Sequence, residues 1–246
     1  MSTDAPSPIA VAGYMANALR KAHAECAWPE TARGTASNLL IQDLSEFAAV
    51  MVAAANANYW SPVWALERLW IERIEVLAGA LVDDAFAKRY IESATKPADP
   101  VRPGKPRTRA RPEDAAGIFA SAATSSIEEV NAYRDALLLL KTQASDWFVH
   151  PTSMGPLMSK AIQGEQNDGN SARSQLIELL TAGCFWTIMS ASRCGIASPV
   201  EILKAFDGGR KVADELGSPS SSALADIWEE IVARSAPLPD AAPSPP

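Results

Sequence analysis

The sequence predicts an all-α protein, a single-domain bundle of about seven or eight helices with a disordered basic, proline-rich linker inside it. Three observations predict it. Apolar residues recur at helical spacing through most of the chain. Serine-proline pairs and acidic residues stand where helices begin, while alanine is abundant and glycine numbers only 13 of 246 residues. No segment alternates polar and apolar residues as a half-buried strand does.

The elements follow in order. Residues 1–7 form a disordered N-terminus, and the helical domain spans 8–234. Ser7-Pro8 supplies an N-cap and a first-position proline for a helix whose stripe is Val11, Met15, Leu19, Ala22 and Cys26. A second helix runs from about Ser37 to Asn58, with Leu40, Leu44, Phe47, Met51 and Ala55 on one face. Ser61-Pro62 caps a long third helix reaching about Ser93, its core side drawn by Val63, Leu66, Trp70, Ile74, Leu77 and Leu81. Residues 95–112 then break the pattern. Four prolines and six basic residues between Lys96 and Arg111, against Asp99 alone, make a stretch that cannot bury apolar area.

Pro112-Glu113-Asp114 restarts a short helix, and Ser126 to Glu129 is a capping box opening another, which stops at His150 before Pro151. A loop from Gln163 to Ser171 precedes the most apolar helix, about Ala172 to Cys194. Ser198 to Glu201 is a further capping box, and Gly208-Gly209 predicts a break or kink in the helix it opens. A last helix covers about Ser222 to Ala233, and residues 235–246 form a disordered proline-rich tail.

Composition bounds the function. A net charge of -7 argues against broad attraction to nucleic acid or membrane surfaces. Three cysteines at no framework spacing read as reduced thiols, consistent with a cytoplasmic location. The start lacks a basic n-region, so no signal peptide is expected. The longest apolar run, Leu176 to Ala191, is interrupted by Glu178 and falls short of the roughly 20 residues of a bilayer span. No membrane association is expected.

Only two histidines exist, His23 and His150, and neither has a partner at metal-ligand helical spacing. No phosphate-cradling glycine loop, dinucleotide fingerprint or nucleophile elbow occurs, so no metal and no cofactor is expected. His23 and Cys26, three apart, read as a thiol packed beside a histidine, or as a nucleophile pair. Arg68 and Glu72 lie one helical turn apart, away from the main apolar arc. Arg73 projects toward that arc between Leu66, Leu69 and Leu77, where it needs a carboxylate or carbonyl partner. It reads as a structural ion pair, or as a cation in a cleft that binds phosphate or carboxylate. His150, at a helix end beside a loop with Ser153 and Gly155, reads as a carbonyl cap or as a general acid or base.

Arg68-Leu-Trp-Ile-Glu72, followed by Asp83-Asp84 and Arg89-Tyr90 and later by Ser145…His150-Pro151, resembles an all-helical bacterial domain family of unknown function. Four residues separate Ser145 from His150 where the family pattern has three. The resemblance implies a bundle in which Arg68, Glu72 and His150 converge, and it implies no activity. The chain is more loosely similar to the HEPN superfamily, some members of which are metal-independent ribonucleases. Those place an arginine a few residues ahead of a histidine, whereas Arg20 precedes His23 by only three and Lys141 is the basic residue upstream of His150.

The leading expectation is a non-catalytic scaffold or regulatory protein acting through a protein partner or self-association. Seven tryptophans and the absence of a catalytic constellation motivate it. The alternative is a HEPN-like ribonuclease or other phosphate-handling hydrolase using His150 with Arg68 or Arg73. The basic linker has no interleaved aromatics, so any nucleic-acid contact through it would be unspecific.

Overall fold

The structure, a computed structural model, describes residues 7–95 and 168–217. The expected linker, the helices beginning near Pro112 and Ser126, His150, the helix near Ser222 and the tail all lie outside the described residues. Six helices make up the described part, and it contains no strand.

Helix α1, Pro8–Glu25, begins as expected. Ser7 Oγ accepts from the Ala10 amide at 3.2 Å, and Pro8 follows where its missing N–H costs nothing. The indole of Trp28 donates to the Ala22 carbonyl at 3.1 Å, which satisfies one of the acceptors left open at the helix end. Helix α2, Ala32–Asn56, starts five residues before the expected Ser37. Thr31 Oγ1 caps it by accepting from the Gly34 amide at 3.1 Å. Gly34 itself is required: a Cβ there would collide with the Pro29 carbonyl.

The link to α3, Trp60–Val82, is a tight turn. Asn58 adopts a left-handed φ of 58°, and its side-chain oxygen accepts from the Trp60 indole at 2.8 Å. Ser61-Pro62 therefore lies within the first turn of α3 rather than before it. The long helix expected from Ser61 to Ser93 is in fact two. It breaks at Asp83, whose carboxylate accepts from the Ala85 amide at 2.8 Å and opens α4, Asp84–Thr95.

Helix α5, Asp168–Arg193, takes up the end of the expected 163–171 loop. Helix α6, Val200–Glu215, corrects two expectations. Ser198 makes no cap, its hydroxyl being buried without a hydrogen bond. Gly208-Gly209 does not break the helix either. A Cβ on Gly209 would come within 2.5 Å of both Met15 Cε and Thr181 Oγ1, so this glycine lets α6 lie close against α1 and α5.

A continuous apolar core joins α1, α2, α3, α5 and α6, and α4 packs over α2 and α3. Its largest fully buried side chains are Trp60, Trp70, Trp186 and Phe185. Trp70 fixes the α3–α5 crossing: its indole donates to the Leu179 carbonyl at 3.1 Å, and its ring fills the space beside Gly183, where a Cβ would meet Cζ2 at 2.5 Å. Helix α2 alone among the described helices is long and apolar enough, by length and composition, to cross a membrane.

Candidate functional site

Helix α3 carries most of the expected site residues, and its orientation decides what they do. The buried side is Val63, Trp64, Glu67, Trp70, Ile71, Ile74, Leu77 and Leu81, while Leu66 and Leu69 are only partly covered. The arc is rotated from the one drawn through Leu66. Arg73 consequently sits at its edge rather than near its middle.

There Arg73 Nε meets Asp43 Oδ2 of α2 at 3.4 Å, and its guanidinium lies 4.9 Å from the centre of the Phe47 ring. The Tyr90 hydroxyl of α4 borders the pair. Burial pushes its pKa up, Asp43 adds to that, and Arg73 opposes it. Arg73 thus ties α3 to α2. Arg68 Nε pairs with Glu72 Oε1 at 3.3 Å along α3, with both side chains about a quarter exposed. Arg68 and Arg73 belong to separate ion pairs. His150, the remaining candidate, lies outside the described residues.

The buried arc of α3 also contains a residue that sequence reasoning missed. Glu67 is 1% exposed, and both its oxygens accept from Gln175 Nε2 of α5, at 2.9 and 3.0 Å. Burial raises its pKa to about 7; the Gln175 hydrogen bond opposes the rise, and the negative charge of Glu178 adds to it. A carboxyl with that value exchanges its proton near neutrality, as a general acid or base does. The spacing Val63, Glu67, Trp70, Ile74 held the signal, because a glutamate at a core position of an apolar helix must find a partner.

Several other polar groups find partners nearby. His23 Nδ1 lies 2.7 Å from Asn38 Oδ1 of α2, so this nitrogen is engaged away from Cys26. Burial, reinforced by Glu25, pushes the Cys26 thiol up, which works against a nucleophile at that position. The buried hydroxyls of Thr181, Thr187 and Ser190 each donate to the carbonyl four residues earlier in α5, at 2.7 to 2.8 Å. Cys184, fully buried, is pushed up to about 12. Among the described residues no group of three histidine, cysteine or acidic side chains is placed to hold a metal ion.

The geometry therefore offers one proton-exchanging carboxyl at the α3–α5 contact and two ion pairs at the edges of α3. No protein-family model, curated protein or solved structure matches the chain.

Proposed function

We propose that the protein is a non-catalytic helical scaffold whose partner is a second copy of itself, docked along the outer face of α2. One observation carries this reading. Only 44% of the most apolar 18-residue window of α2 is buried. On its outward side Leu39 and Val50 are 41% and 53% exposed, and Ala53 and Ala57 continue the same line. Val50, Ala53 and Ala57, spaced by 3 and 4 residues, form an apolar patch at the end of α2 by the spacing with which one helix packs along another, and Leu39 lies on the same face beyond Glu46 and Asp43.

An exposed apolar stripe is costly on an isolated chain and favourable once covered. A two-fold arrangement covers it using a single surface, because each copy presents the same face to the other. The roles of Arg68 and Arg73 fit this reading. Their guanidinium groups are held by Glu72 and Asp43, and Arg73 joins α2 to α3 at the edge of this face.

Light scattering coupled to size-exclusion chromatography tests it. The wild-type chain should have the mass of two copies across a wide concentration range, and Val50→Asp should reduce it to one with helical content unchanged. A wild-type mass of a single chain at every concentration would refute the proposal.

A further inference from the structure

Glu67 stands on the buried side of α3 between Trp64 and Trp70, one turn from each, and is 1% exposed. Val63 and Ile71, also one turn away, are buried as well. A neutral amide crosses from α5 to meet it: Gln175 Nε2 lies 2.9 and 3.0 Å from the two carboxyl oxygens. The charges around this point oppose ionisation of Glu67 or are engaged elsewhere. On α5, Glu178 follows Gln175 by one turn, and its negative charge acts on Glu67. Arg173, the other charged residue between positions 172 and 179, stands two positions before Gln175 on a different side of the helix. On α3, Arg68 pairs with Glu72 and Arg73 with Asp43, while Glu75, two turns on, is itself acidic and buried. The Arg73–Asp43 pair sets an antiparallel register in which Ala48 to Val52 of α2 run alongside Glu67, and none of these is charged. Helix α4 packs farther along α3, at Val76 and Ala80.

For an ionised Glu67 the shortest route to water is through α5, and α5 is unevenly anchored. Residues 179–191 are all buried. Within them Thr181 lies against Gly209 of α6, and the Phe185 ring packs 6.4 Å from that of Phe206. In residues 172–178, by contrast, the partly exposed Arg173, Gln175 and Glu178 interrupt the buried positions. The bond from the Trp70 indole to the Leu179 carbonyl marks the boundary between the two parts. Lifting residues 172–178 off α3 therefore uncovers Glu67 at the smallest loss of apolar contact.

We propose that residues 172–178 of α5 are a proton-operated latch, docked on α3 while Glu67 carries its proton and released about a pivot at Leu179 when Glu67 ionises. Docked, the carboxyl is pushed from 4.5 up to about 7, chiefly by burial, with Gln175 opposing and Glu178 adding to the rise. Released, it is wet and returns to its ordinary value. The protonated form is thus the one that docks. The release equilibrium grows about tenfold for each step of one in pH between the two values and levels off above the docked one. Two helical turns without a packing surface do not keep their hydrogen bonds, so release exposes their amides to exchange.

Hydrogen–deuterium exchange of the full-length chain, read by peptide mass spectrometry from about pH 5 to 9 and corrected for intrinsic rates, measures the release. Protection of residues 172–178 should fall on the order of a hundredfold and level off near neutrality, while that of residues 181–191 changes far less. Glu67→Gln should hold residues 172–178 at their acid-side protection throughout. Gln175→Leu removes the hydrogen bond that favours the charged form, so the fall should continue to higher pH before it levels off. A wild-type chain whose protection does not fall overturns the proposal, as does a fall that Glu67→Gln retains. An equal fall in residues 181–191 also overturns it, because the whole fold would then be loosening instead of the latch. Should Glu67→Gln not fold, an unmoved plateau in Gln175→Leu is enough to reject the latch.

Discussion

Replacing Glu67 with glutamine removes an ionisation that the folded chain tolerates poorly. In the unfolded chain this carboxyl has its ordinary value near 4.5, whereas folding raises it to about 7. The folded state therefore holds the proton more tightly. Stability is greatest below the ordinary value, falls as pH climbs between the two, and reaches a plateau above the folded one. Each step of one in pKa is worth about 1.4 kcal/mol. The interval between 4.5 and about 7 thus corresponds to about 3 kcal/mol lost on going from pH 4 to pH 8. Glu67→Gln keeps the side-chain shape and one hydrogen bond to Gln175, and it cannot ionise. Urea unfolding followed by circular dichroism at a series of pH values isolates the contribution of this residue as the difference between the two proteins. With an allowance of roughly 1 kcal/mol for the altered hydrogen bond, the variant should be less stable than wild type by about 1 kcal/mol at pH 4 and more stable by about 2 kcal/mol at pH 8. If the two stability curves run parallel between pH 5 and 8, Glu67 does not titrate in the fold as argued.

The adjacent glycines of α6 should respond in opposite directions. Gly208→Ala meets nothing within 4 Å and should stabilise the protein by up to about 1 kcal/mol in thermal unfolding. Gly209→Ala drives a methyl group against Met15 and Thr181 and should cost about 1–2 kcal/mol despite its better helix propensity. Because the Arg73–Asp43 pair is 30% and 43% exposed, Arg73→Met should lower stability by no more than about 1 kcal/mol. Asp43→Asn should add little to that in the double variant, and a loss of 3 kcal/mol or more would mean that Arg73 is held as a buried charge. On the scaffold reading, wild type and His150→Ala should leave labelled RNA equally intact on a denaturing gel, while cleavage by the wild-type protein alone would favour a hydrolase.

Helical period and proline placement made much of the fold legible. Ser7-Pro8 opens α1 where the sequence puts its start, because an N-cap hydroxyl and a first-turn proline act locally. What the sequence hid depends on distant partners or on near-ties between local choices. The run Leu81-Val-Asp-Asp-Ala-Phe86 keeps helical spacing without glycine or proline, so only the turn made by Asp83 shows that α3 ends there. The face of α3 was ambiguous because Leu66 and Leu69 compete with Trp64 and Ile71 as core positions. Trp70 resolves it by reaching Leu179, 109 positions along the chain. Glu67 stands at a core position that the spacing of α3 marks, but its partner Gln175, 108 positions away, is not legible from it. Gly209 read as a helix breaker because local propensity cannot register Met15 and Thr181 pressing against its bare Cα. Arg73, by contrast, announced its need for a counter-ion in the sequence, and Asp43 meets that need.

The bond from Trp70 to Leu179 also imposes a timetable on biosynthesis. Helix α3 leaves the ribosome well before the helix that covers it, and the intervening 109 residues take roughly 5 to 20 seconds to translate. Throughout that interval the indole of Trp70 lacks its native acceptor, and the parts of α1 and α3 that α5 will cover stay wet. A messenger recoded with slow codons in this stretch would lengthen the interval before α5 arrives to cover that surface.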